Sequence, residues 1–98
     1  MLEHGKKISK DLSEFLKLYL TGDDLKNVSD DFNDKGYNVS VSLLRMVISR
    51  TNNVTQKNNM KAIEKLIYIA SKKRVETNPV FTRVLREHSD IINRYKTK

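Results

Sequence analysis

The sequence predicts an all-α protein, a compact bundle of about five helices. Gly occurs three times and Pro once in 98 residues, too few turn residues for an all-β chain. Apolar residues recur at three- and four-residue steps through long unpunctuated segments. From the second segment on, each begins at a Ser, Thr or Asn able to cap a helix, or at a Pro that fits a first turn. With 38% hydrophobic residues, the chain makes one domain over residues 1–98 with a single modest core.

Residues 1–6 read as a flexible start, since His4 and Gly5 belong to no pattern. Ile8, Leu12, Phe15, Leu16 and Tyr19 then fall at i, i+4, i+7, i+8 and i+11, which places helix 1 at about Ser9–Leu20. Thr21 caps helix 2, with Asp23 and Asp24 at the positive end of its dipole. Leu25, Val28 and Phe32 mark its buried face, and Gly36 stops it, so helix 2 covers about Asp23–Asn33. Asp30, Asp31 and Asp34 lack the alternating acids, central Gly and distal Glu of a calcium loop and are expected on a solvated face.

Helix 3 is expected from a Ser40 cap to Arg50 or Thr51. Val41, Leu44, Val47 and Ile48 form its apolar face, and Ser42, Arg45, Ser49 and Arg50 the opposite one. Asn52 or Asn53 is expected to end it in a left-handed conformation. Helix 4 runs from about Gln56 to Arg74 behind a Thr55 cap and buries Met60, Ile63, Leu66, Ile67 and Ala70. Lys57, Lys61 and Lys65 form a row along one of its edges. Pro79 opens helix 5, about Pro79–Tyr95, whose stripe is Phe81, Val84, Leu85, His88, Ile91, Ile92 and Tyr95. This helix either packs back on the core or pairs with its twin in a homodimer, and residues 96–98 fray.

Composition narrows the function. No Cys is present, which removes disulfides, thiolate nucleophiles and Cys-ligated zinc. No apolar run is long enough for a signal peptide or a membrane span, and a cytoplasmic protein is expected. His4 and His88 have no acid at ligand spacing, and no nucleophile elbow, phosphate-cradling glycine loop or metalloprotease motif occurs. An enzyme is not expected, and no catalytic residue, cofactor or metal is assigned. The formal charge of +7 suits a polyanion. That charge is uneven: residues 21–44 carry two Lys against five Asp, and residues 45–76 carry eight Lys or Arg against two Glu.

A short helix, a Gly-containing turn and a second helix with hydroxyls and arginines outward is the layout of a helix-turn-helix pair. On that layout Ser40, Ser42 and Leu43 lie nearest a DNA groove floor, followed by Arg45, Met46, Ser49 and Arg50. Asn52 and Asn53 suit backbone contacts, and Lys57, Lys61 and Lys65 phosphate contacts that make binding salt-dependent.

The run Gly36…Val39-Ser40…Arg45…Val47 resembles the turn and recognition helix of helix-turn-helix regulators, over about residues 23–51. The resemblance implies major-groove binding of double-stranded DNA, often as a dimer, by a repressor or small phage or plasmid regulator. Gly36 stands three residues before Val39 where the pattern has adjacency, so a longer turn is expected.

Two alternatives stay open. One is a helical protein-interaction module, an adaptor or inhibitor with no nucleic-acid role, in which Leu43 and Met46 form a contact patch. The other is an RNA-binding protein. It is less favoured because the seven aromatics mostly sit in apolar stripes, with Tyr37 and Tyr68 the exceptions.

Overall fold

The computed structural model describes residue 2 and residues 5–54, 57–73 and 79–96. They form six helices: α1 (Lys10–Tyr19), α2 (Gly22–Asp34), α3 (Val41–Ile48), α4 (Lys57–Lys73), α5 (Pro79–Glu87) and α6 (Ser89–Lys96). Among the described residues there is no strand, only an isolated antiparallel bridge between Lys6 and Val54. The expected caps at Thr55, Thr77 and Asn78, and the side chain of Lys57, lie outside the described residues.

Local chemistry sets the first three helix starts. Ser9 caps α1 by accepting from the Leu12 amide at 3.1 Å. Thr21 and Asp24 form a reciprocal capping box on α2, and Ser40 accepts from Leu43 N–H at 3.1 Å to start α3.

The core is built around α4, which packs against α1, α2, α3 and α6. Ala62, Ile63, Leu66, Ile67 and Ala70 are fully buried along it. Met60, expected in this stripe, is half-buried, and Ala62 is buried in addition. Phe15 meets Phe81 edge-on at 5.3 Å between centroids, joining α1 to α5.

One expectation is corrected. Helix 5 is not one rod but breaks at His88. The Val84 carbonyl accepts both the His88 amide (3.1 Å) and its ring Nδ1–H (2.9 Å), and the His88 carbonyl takes Ile91 and Ile92 N–H in turn. The bend lets α5 pack on α1 while α6 packs on α4. Phe81, Val84, His88 and Ile91 are buried within the chain, whereas Leu85, Ile92 and Tyr95 of the same stripe are half-buried. Ahead of α1, the described residues make contacts with the rest of the chain. Leu2 enters the core, Gly5 N–H donates to Val54, and Val54 N–H returns a bond to Lys6 at 2.8 Å.

Candidate nucleic-acid interface

α3 is short, with eight residues, and three tertiary devices hold it. Leu44, Val47 and Ile48 anchor its inner face in the core. At its entry, the turn over residues 35–40 is closed by nested bonds from Gly36 N–H to Asn33 O and from Tyr37 N–H to Phe32 O, both 3.0 Å. Gly36 sits at φ 92°, where a side chain is strained, and Tyr37 leans on Phe32 with centroids 5.6 Å apart. The Asn33 amide then clamps buried Val39 on both sides: its Oδ1 accepts Val39 N–H at 2.9 Å and its Nδ2 donates to Val39 O at 3.0 Å. Buried Ser29 adds a hydroxyl to the same carbonyl at 2.6 Å. At its exit, buried Ser13 donates its hydroxyl to Ile48 O.

The same nested closure ends α3, with Arg50 N–H bonded to Val47 O at 3.1 Å and Thr51 N–H to Met46 O at 2.9 Å. The left-handed residue is Arg50, at φ 63°, not Asn52 or Asn53. α3 therefore stops at Ile48, short of the expected Arg50 or Thr51. Arg50 tolerates the position because its Nε donates to Ile8 O at 2.8 Å, tying α3 to the segment ahead of α1.

The outward face carries Ser42, Arg45, Met46 and Ser49, all exposed, with Met46 at 40%. Leu43 is half-buried on its flank. The face is a ridge between two concavities. One, of about 370 Å³, lies toward α1 and α2 and includes Lys17, Thr21, Gly22, Arg45, Met46 and Ser49. The other, of about 450 Å³, is lined by Lys7, Leu43, Thr51, Asn52 and Asn53. Arg45 reaches across to the first turn of α2, where its Nη2 stands 3.3 Å from the position a Cβ on Gly22 would take.

Several hydroxyls expected to read a partner already have work. Ser40 is a cap, while Ser49 donates to Met46 O at 3.2 Å and hydrogen-bonds the Thr51 hydroxyl at 2.9 Å. Asn52 Nδ2 points at Met46 Sδ, 3.8 Å away. Ser42 and Arg45 carry the outward polar chemistry of the ridge.

Asp24 and Asp31 of α2 turn toward α4 and away from this ridge. Gly22, Ser29 and Asn33, at i, i+7 and i+11, form the α2 flank toward α3. Asp24 pairs with Lys73 of α4, and Asp31 pairs with Lys65 of α4 at 3.1 Å and with Lys35 at 3.2 Å. Burial pushes the Asp24 carboxyl up, but the bonds from Lys73 and Thr21 outweigh it and hold the group below its ordinary value. Asp31 is held low by the hydrogen bonds from Lys65 and then Lys35.

The structure does not bring the expected cations together. Arg45 lines the concavity toward α1 and α2, and Arg50 is bonded to the Ile8 carbonyl. Lys61 and Lys65 line a third hollow with Tyr37, Tyr68 and Tyr95 that shares no lining residue with the two beside α3. Lys7 lines the second hollow and was not among the expected contacts, because it falls between the start over residues 1–6 and helix 1, where no pattern singles it out. One signal was available: residues 35–63 contain no Asp or Glu, a stretch that spans α3, both its loops and the start of α4.

Among the described residues no three His, Asp or Glu side chains gather as metal ligands, and no helix is long and apolar enough to cross a membrane. No known protein family, curated protein or solved structure matches the chain, so the candidate interface rests on its own geometry.

Proposed function

We propose that the protein binds double-stranded DNA by laying the outward face of α3 in the major groove, with α2, the 35–40 turn and α3 acting as a helix-turn-helix-like pair. It serves as a small cytoplasmic regulator or architectural protein of the phage or plasmid kind. The observation that carries the reading is the ridge itself: Ser42, Arg45, Met46 and Ser49 stand outward without a carboxylate, inside an acid-free stretch, between two concavities. A helix about 10–12 Å across enters a groove about 12 Å wide, and the hollows on either side leave room for the sugar–phosphate walls. Arg45 supplies paired donors for guanine, and Lys7 and Asn53, which line the second hollow, contact one wall. The turn is six residues (35–40), longer than the three or four usual in such pairs, but the Asn33 and Ser29 clamps hold α3 in place.

The test is binding to random-sequence duplex DNA across a salt series, with Arg45→Ala as the variant. Arg50 is left alone because its loss would also release Ile8. Affinity should fall steeply with salt, and in the variant both the affinity and, by about one, the salt slope should drop, because one cation is lost. Absence of binding at low salt, or an unchanged affinity in Arg45→Ala, would sink the proposal.

A protein-docking module is the second reading, favoured by the apolar floor of the α1–α2–α3 concavity, made of Leu16, Leu20, Leu25, Met46 and Ile48 with Lys17 and Arg45 at its rim. It accommodates one face of an acidic amphipathic helix. Failure of DNA binding combined with capture of such a peptide by the native chain, but not by Met46→Glu, would establish it instead.

A further inference from the structure

A second surface has a different chemistry. The hollow of about 400 Å³ bounded by the end of α2, by α4 and by α6 is lined by tyrosines and lysines. On α4, Lys61, Lys65, Tyr68 and Lys72 stand at i, i+4, i+7 and i+11, a single stripe about 16 Å long. Tyr37 faces its start and Tyr95 its middle.

The aromatic groups are held as platforms. Tyr37 is 36% exposed and rests against Phe32, while Tyr68 stacks on Tyr95 at 5.4 Å with the rings 18° from parallel. Each outer tyrosine carries an ammonium at cation–π distance, Lys61 at 5.8 Å from Tyr37 and Lys72 at 5.3 Å from Tyr68. The acids nearby are already paired, Asp31 with Lys35 and Lys65, and Glu64 with Arg94 at 3.3 Å. Cations exceed carboxylates along the stripe.

We propose that this groove binds single-stranded nucleic acid, with unpaired bases stacked on Tyr37 and Tyr68 and phosphates on Lys61, Lys65 and Lys72. Tyrosine faces reward a base only when its own face is open, which a duplex does not offer, and lysines on flexible stems swing from ring to phosphate without moving the backbone. The groove shares no lining residue with the hollows beside α3.

The chain suits a direct test, because it has four Tyr and no Trp, so a base stacking on tyrosine quenches its intrinsic emission unmasked. Short oligothymidylate and oligouridylate are titrated into the full-length protein, following tyrosine emission and the anisotropy of end-labelled strands. Saturable quenching is expected, weakened by salt, with the two strands reporting whether DNA or RNA is preferred. Tyr37→Leu should cost about tenfold in affinity for the single strand at unchanged helicity, Tyr37→Phe should restore it, and Lys61→Gln should lower the salt slope by about one. Asp31→Asn, which frees Lys35 and Lys65 from a shared carboxylate, should tighten binding severalfold. No quenching at low salt, equal affinity in Tyr37→Leu, or full displacement by polyglutamate would overturn the proposal, the last by reducing the groove to a cation patch.

Discussion

The two ends of α3 solve one problem with different means. Both neighbouring helix ends close with the same nested pair of backbone bonds around a left-handed residue, Gly36 ahead of α3 and Arg50 behind it. Glycine takes that conformation freely, whereas a residue with a Cβ loses about 1–2 kcal/mol there. The entry is also local: Ser29, Asn33, Gly36 and Val39 lie within one short stretch. The exit is long-range, with Arg50 bonded to Ile8 and Ser13 to Ile48. A local end needs only the right residues in order; the exit needs the rest of the fold to offset its strain.

The largest break in that comparison is at the entry clamp. Asn33→Leu removes both side-chain bonds to Val39 and leaves buried polar groups short of partners, so denaturant unfolding should show a loss of about 3 kcal/mol. Loss below about 1 kcal/mol would mean that Ser29 and water suffice to hold the turn.

Paired substitutions at the left-handed residues come next. Gly36→Ala should cost about 1–2 kcal/mol, because it imposes strain that nothing nearby relieves. Arg50→Gly should be close to neutral, within about 1 kcal/mol, since relief of strain opposes loss of the Ile8 bond. Equal losses at the two sites in thermal unfolding would show that the Ile8 bond dominates the exit and that backbone strain matters little.

The smallest effect is a difference in pH response. His88 lines a hollow with Lys6, Lys7, Ile8 and Val54, the segment that Arg50 holds, and burial lowers its pKa below the ordinary 6.5. Between that lowered value and 6.5 the unfolded chain binds a proton that the folded chain refuses. Stability is therefore complete above 6.5 and declines as pH falls below it. Amide exchange should rise first around Val54 and Arg50. The entry should hold until the pH falls below the ordinary 3.8 of Asp31, whose lowered pKa makes its pairing with Lys35 and Lys65 fail last. Simultaneous opening at both ends would indicate that α3 comes loose as one unit.

Much of the fold was legible because its signals are short-range. The Ile8-to-Tyr19 stripe located α1, and Thr21, Ser40 and Pro79 marked starts that the structure keeps. The outward face of α3 was legible for the same reason, since Leu44, Val47 and Ile48 can be buried together only if Ser42, Arg45 and Ser49 point away. The break at His88 was not legible, because the apolar period runs through it unchanged. The destination of the lysine row on α4 was also hidden: helical spacing says that Lys61 and Lys65 share an edge, not which neighbour that edge meets.

By itself, then, the sequence determined the helical class and the starts of α1, α2, α3 and α5, all properties of residues within a few positions of one another. Tertiary structure decided where Arg50 bends the chain, how helix 5 divides between α1 and α4, and which cations share a surface. The physical reason is that each of these depends on a partner distant in sequence, Ile8 for Arg50, α1 and α4 for the two halves of helix 5, Tyr37 and Asp31 for the lysines. No local pattern encodes such a partner, because only packing brings it within bonding distance.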